Sequence, residues 1–226
     1  MQTSLRTVHR WDLEPEAAMA LQVKLARRVV RKSRIKPERI MTVAGVDVSY
    51  RNDIGRAAVV VLKLNGLKTV EQAVAARAVT FPYISGLLSF REAPVILEAL
   101  VKLETKPDLL MIDGQGIAHP RRFGIACHIG LLLDIPTVGC AKTRLLGDYE
   151  APRTPAGSTS YLTDGKETIG AVVRTRTGVR PVFVSIGHLI NLNDSIRVVL
   201  ESCRGYRLPE PIRFADHLSR KKSKFV

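Results

Sequence analysis

Cysteine is scarce in this chain. There are three, Cys127, Cys140 and Cys203, an odd number at spacings that fit no thiol metal site. That leaves buried thiols in a reducing cytoplasm as the natural reading. Long apolar runs are also missing. No stretch has the length of a membrane span, and the start, Met1-Gln-Thr-Ser-Leu-Arg-Thr-Val-His-Arg10, lacks the apolar core of a signal peptide. No Walker P-loop, G-x-S-x-G elbow, H-E-x-x-H or paired C-x-x-C occurs, which removes the chemistries those motifs carry. Acidic residues are in deficit: 21 Asp and Glu stand against 35 Lys and Arg, a net charge of +14 and a pI near 10.1. Such an excess favours a polyanionic partner, most simply nucleic acid through counterion release. Charge alone leaves an anionic membrane surface or a ribosomal setting open.

What is present is ordinary for a globular protein. The 226 residues are 46% hydrophobic and 25% charged, with no low-complexity tract, long linker or repeat. A single domain over residues 1–226 is expected, with a basic, disordered tail from about 219 to 226. An amphipathic helix is expected from Glu14 to Lys32, with Leu13, Ala17, Leu21, Leu25 and Val29 inward and Lys24, Arg27, Arg28 and Arg31 outward. Strand patterns follow at 41–50, 57–64 and 69–79. They are joined by Asn52-Asp53 with Gly55 and by Asn65-Gly66, turns short enough to require antiparallel pairing. A helix (90–103), a continuous apolar strand (109–112), a helix (123–133) and a strand (137–140) read as parallel units. Pro- and Gly-rich turns near 151–158, strands at 168–174 and 181–186 and a helix at 192–203 complete the pattern. The fold class is α/β: a mixed sheet, antiparallel over its first three strands and then parallel, flanked by helices.

Three acids stand out. Asp47 follows Val43-Ala-Gly-Val46, Asp113 follows Leu109-Leu-Met-Ile112 and precedes Gly114-Gln-Gly116, and Glu92 begins a helical run. Carboxylates at the ends of buried strands need a cationic partner. For one aspartate alone, a salt bridge to an arginine suffices as an explanation. Three such acids in one basic chain point instead to a divalent metal that handles phosphate. Ligand sites in α/β sheets lie beyond the carboxyl ends of parallel strands, where Asp113 falls. An acid on the first strand, one on the helix after the third and one on the fourth strand is the order of a ribonuclease-H-like nuclease site. Lys142, just past the 137–140 strand, falls at the same edge and could hold a phosphate.

Beyond this reading, the chain resembles the endonuclease V family along most of its length. The matching stretches are Val43-Ala-Gly-Val-Asp47, Pro82-Tyr-Ile-Ser-Gly86 with Phe90-Arg-Glu92, Asp113-Gly-Gln-Gly-Ile-Ala-His-Pro-Arg-Arg122, Val138-Gly-Cys-Ala-Lys142 and Pro181-Val-Phe-Val-Ser-Ile-Gly-His188. The resemblance implies a ribonuclease-H-like fold and a Mg²⁺-dependent endonuclease, with Mn²⁺ a plausible substitute. It implies action on DNA or RNA containing inosine, with a nick at the second phosphodiester 3′ to hypoxanthine; a monomer is the simplest expectation for the chain. Asp47, Asp113 and Glu92 would hold metal. Arg213-Phe-Ala-Asp216-His217 offers two candidates for a fourth site residue, Asp216 preferred over His217. Tyr83, Ile84 and Ser85 would form a wedge, although the family often has proline where Ser85 stands. Gly86, Leu88, Gly114, Gly116, Ile125, Gly139, Ala141 and Leu145 would form a base pocket that tells hypoxanthine from adenine by main-chain groups. His119, Arg121 and Arg122 would contact phosphate, while His128 and His188 read as structural. Two other readings remain: a related nuclease with another target, such as hybrids or junctions, and a non-catalytic basic nucleic-acid-binding module.

Overall fold

A computed structural model describes residues 9–221. The strands β1 (Thr42–Arg51), β2 (Ile54–Lys63) and β3 (Thr69–Ala78) come first. They are followed by β4 (Leu109–Ile112), β5 (Thr137–Ala141), β6 (Thr159–Asp164), β7 (Glu167–Val173) and β8 (Val182–His188). All eight join one sheet in the order β3-β2-β1-β4-β5-β8-β7-β6. The β1–β2 turn is tight because Asn52 and Asp53 both take positive φ, 48° and 58°, a conformation these two side chains tolerate. β1–β4 and β4–β5 are parallel, as the uninterrupted apolar strands require, and the remaining pairs are antiparallel.

Helices cover both faces. The helices α2 (Leu88–Leu100) and α3 (Ile125–Leu133) pack on Ala44, Val46, Leu110 and Ile112. On the other face α1 (Pro15–Ala26), α4 (Leu192–Glu201) and α5 (Glu210–Arg220) pack with Val43, Leu109, Met111 and Val138. Among the described residues no helix is long and apolar enough to cross a membrane. β1 and β4 are thus buried on both sides, and their parallel register has a direct consequence. Val46 pairs with Ile112 and the Asp113 N–H donates to the Val46 carbonyl at 3.0 Å. Asp47 and Asp113 therefore leave the sheet side by side.

Three expectations need correction. The first helix stops at Ala26, six residues before Lys32. Beyond it Val30 accepts from Leu189 N–H and donates to His188 Nδ1, so the backbone is drawn to the end of β8 and away from helical bonding. Its buried positions are Ala18, Gln22 and Leu25, while Ala17 is exposed. Second, β6 and α5 were not anticipated. β6 is a sheet-edge strand with one buried residue, Leu162, and offers little hydrophobic alternation to read. Third, residues 219 and 220 do not belong to a disordered tail. Ser219 and Arg220 are the last turn of α5, and Ser219 is buried. Residues 222–226 lie outside the described residues.

α5 reaches β1 because position 45 is glycine. A Cβ at Gly45 would fall 1.9 Å from the Pro211 carbonyl oxygen, so any side chain there must displace the helix. Gly45→Ala is therefore expected to lower stability by about 1–3 kcal/mol, the usual range for overpacking. It should also move α5, and Asp216 with it. Thermal denaturation checks this, the expectation being a lower melting temperature.

Candidate functional site

Asp47, Asp113 and Asp216 each present a carboxylate oxygen, and the three oxygens lie within 4.8 Å of one another. Two come from the register of β1 and β4; the third comes from α5. Lys142, one residue past β5, donates from Nζ to Asp113 at 2.5 Å and to Asp216 at 3.4 Å. Ser219 Oγ donates to Asp47 Oδ2 at 2.8 Å, and Arg220 donates to Asp216 at 3.1 Å. Burial pushes the Asp47 carboxyl up to about 7, with the Asp113 charge adding to it and the Ser219 bond opposing. Lys142 is held above its usual range. Burial alone would lower it, but Asp113, Asp47 and Asp216 outweigh that.

Glu92 lines the same cavity but is not one of these three. Its carboxylate accepts from the Tyr50 hydroxyl at 2.9 Å. Burial raises it to about 8; Tyr50 opposes this, and Asp47 and Asp113 reinforce it. His217 is exposed, so of the two neighbours only Asp216 joins the acids. Helical geometry explains why. Residues 216, 219 and 220 share one face at spacings of three and four, and 217 does not. Ser219 and Arg220 are site residues that the sequence reading assigned to a tail. The signal was their spacing from Asp216.

Beside the acids lies a cavity of about 390 Å³. Of the eight expected pocket residues, Gly86, Leu88, Gly114, Ile125, Ala141 and Leu145 line it. Gly116 and Gly139 do not, and their role is packing. A Cβ on Gly116 would meet the Ile186 carbonyl at 2.0 Å, and one on Gly139 would meet Gly116 N at 2.5 Å. The polar groups of Gly116 are also engaged: its N–H donates to Ser185 Oγ and its carbonyl accepts from Gly124. Tyr83, 76% exposed, stands at the rim with Ser85, and Ile84 lines the cavity too while packing against Phe81, Leu87 and Phe90.

The expected phosphate contacts are placed differently. Arg122 is held by Asp164 and Glu167 at 2.6 and 2.8 Å, so carboxylates already take its guanidinium. His119 is buried. Its Nδ1 accepts from the Arg121 N–H and its Nε2 reaches the Gly86 carbonyl at 2.8 Å, which requires the proton on Nε2. Burial lowers its pKa to about 4, so it is neutral and structural near pH 7. Arg121 bonds Gln22 and Gly86. His128 and His188 are buried, as expected of structural histidines.

The donor set is all oxygen and mostly anionic, which suits a hard divalent cation. Without one, the raised carboxyls have a consequence for folding. An acid whose folded pKa lies above its unfolded value adds stability below the unfolded pKa, and that stability is lost as pH rises through the folded pKa. For Asp47 and Glu92 that window runs from about 4 to about 7 and about 8. The metal-free protein should therefore melt at a lower temperature near pH 9 than near pH 5, in the range where Lys142 stays charged. Asp47→Asn with Glu92→Gln should flatten the slope. Melting curves in chelator across that range test it, and an unchanged slope in the double variant would count against the assignment.

Comparison with known proteins agrees with this geometry. The family model for endonuclease V matches residues 23–217. Endonuclease V of Methanothrix thermoacetophila is 49% identical over 98% of this chain and 97% of its own length. The crystal structure of Streptomyces avermitilis endonuclease V superposes with a TM-score of 0.88 at 43% identity, covering 93% of each chain. That of Ciona intestinalis endonuclease V, in complex with a 24mer DNA containing an inosine followed by a ribo-adenosine, has a TM-score of 0.77 at 27% identity and covers 89% of this chain and 93% of that one. The ribonuclease-H-like architecture, the acids at the strand ends and the match along nearly the whole sequence have one source: the chain belongs to the endonuclease V family.

Proposed function

We propose that this protein is a metal-dependent endonuclease that recognises hypoxanthine in nucleic acid and hydrolyses the second phosphodiester on its 3′ side. The observation that carries this reading is a cavity whose wall runs from the exposed Tyr83 to Asp47 and Asp113. A pocket able to take a displaced base and a set of carboxylates able to hold a cation thus share one continuous surface. The Ciona relative crystallised with inosine-containing DNA supports the choice of base. The basic balance of the chain supports a polyanion as partner.

Asp47, Asp113 and Asp216 would hold the ion, with Glu92 beside them. A divalent cation bound there supplies Lewis-acid activation and a more acidic water, Mg²⁺ first and Mn²⁺ as a substitute. The protein's own groups do the rest. Ser219 keeps one oxygen of Asp47 oriented, and the Tyr50 hydroxyl does the same for Glu92. Lys142 lies between Asp113 and Asp216, where it offsets negative charge and can donate to a phosphate oxygen. Tyr83 would fill the gap left by the extruded base, and stacking offsets part of the unpairing penalty. The pocket would distinguish hypoxanthine from adenine by meeting an O6 acceptor and an N1–H donor with fixed main-chain groups.

The test is incubation with Mg²⁺ and matched labelled DNA and RNA oligonucleotides, each carrying one inosine, with mapping of the product ends. A single cut one nucleotide beyond the first 3′ linkage, absent from adenosine controls, is expected. Equal cutting of the controls would overturn the base assignment. Asp113→Asn should abolish the cut, by about a thousandfold or more as for loss of a principal electrostatic group, while inosine-strand binding persists. Retained turnover would take Asp113 out of the site.

A further inference from the structure

The Gly86 carbonyl, at the end of the Tyr83 loop, collects three donors. His119 Nε2 reaches it at 2.8 Å, Arg121 Nη2 at 2.9 Å and Gln22 Nε2 at 3.0 Å. A carbonyl has two lone pairs, so this oxygen is held by more donors than packing alone would bring. Gly86 itself sits at φ +80°, where the loop turns into α2. Gln22 is the least accessible of the three donors, 1% exposed on α1. Its other bonds run across the same junction. Nε2 also donates to the Phe123 carbonyl at 3.1 Å, and Oε1 accepts from Arg121 Nε at 2.6 Å. Gln22 thus ties together α1, the end of the Tyr83 loop, and the 113–124 segment that follows Asp113. It also lines the cavity.

We propose that Gln22 is a positioning residue for base extrusion: it fixes the root of the Tyr83 loop to the base pocket so that Tyr83 can bear against a duplex. The inference rests on the wedge reading of Tyr83 given above. Extruding a base from a duplex opposes the wedge with a few kcal/mol of unpairing and unstacking, whereas a single strand presents almost none of that load. Serine at position 85 leaves the backbone torsions free there, so the loop is not stiffened at that residue by a ring. The Gly86 anchor supplies rigidity from outside it. Loss of the anchor should then matter where there is a load and be nearly silent where there is none.

Gln22→Met keeps the volume and removes the hydrogen bonds. Wild type, Gln22→Met, Tyr83→Ala and the double variant are compared by kcat/KM on an inosine duplex and on the same inosine single strand. Gln22→Met should lower the duplex-to-single-strand ratio about tenfold, the scale of one or two lost hydrogen bonds. In the double variant the ratio should be no lower than in Tyr83→Ala, because coupled residues are non-additive. Equal losses on both substrates, or additive losses, would overturn the inference. If Tyr83→Ala lowers the ratio and Gln22→Met leaves it unchanged, the role of Gln22 falls and the wedge stands. If Tyr83→Ala leaves it unchanged, both fall. Should Gln22→Met fail to fold, Gln22→Glu serves instead. It retains an acceptor for Arg121 but opposes the Gly86 and Phe123 carbonyls, and the same selective loss on duplex is expected.

Discussion

Mutual repulsion among closely set carboxylates is the constraint around which this molecule is arranged. With oxygens of Asp47, Asp113 and Asp216 no more than 4.8 Å apart, each ionised pair repels by about 3.5 kcal/mol at an effective dielectric of about 20. Glu92 lines the same cavity as Asp47 and Asp113. Such a cluster forms only where rigid elements force it. Here two acids leave adjacent parallel strands whose register is fixed by apolar burial on both faces, and α5 is pressed onto β1 through Gly45. A lysine, a serine hydroxyl and a tyrosine hydroxyl relieve part of the strain. The remainder takes the form of raised proton affinity at Asp47 and Glu92, and a proton and a divalent cation are alternative solutions to the same excess of negative charge.

The central half of this arrangement was legible in the sequence because it is local. A continuous apolar run ending in Asp113 followed by Gly114 can only be a buried strand delivering an acid to a sheet edge, and Val43–Asp47 reads the same way. The turn at Asn52-Asp53 fixes the first hairpin by backbone conformation alone. What was hidden depends on distant partners. Nothing near Gly116 or Gly139 says that Gly116 is required by the backbone of Ile186 and Gly139 by the backbone of residues 114–116. Arg122 looks like a phosphate ligand until β6 and β7 bring Asp164 and Glu167 to it. Basic composition after residue 217 suggested a tail, and composition cannot reveal that Ser219 is one helical turn from Asp216 and faces Asp47.

His119 shows how the surroundings of a titratable residue set its protonation state. In a glycine- and arginine-rich loop it invites a role as a cation for phosphate. Its surroundings give it two fixed partners and a pKa near 4, so it acts as a neutral brace, donating from one nitrogen and accepting at the other. Neutrality suits that position. A cationic imidazole would have both nitrogens as donors and could no longer accept from the Arg121 N–H.

The two halves of the site are joined by one stretch of chain. Asp113 stands at its start among the carboxylates, and His119 and Arg121 stand further along it, bonded to the loop that carries Tyr83. Between them Gly114 lines the cavity and Gly116 is locked against Ile186. The packing of Gly116 against the Ile186 backbone fixes the middle of this segment. Gln115 adds a second link, its amide donating to the Thr143 carbonyl beside Lys142 at 2.9 Å. Distances between rim, pocket and acids are thereby set by one hydrogen-bonded segment and the sheet beneath it. Such rigidity is what a site needs if a base held in the cavity is to leave a particular phosphate at the carboxylates, since a misplacement of about 1 Å is enough to lose about a hundredfold in rate.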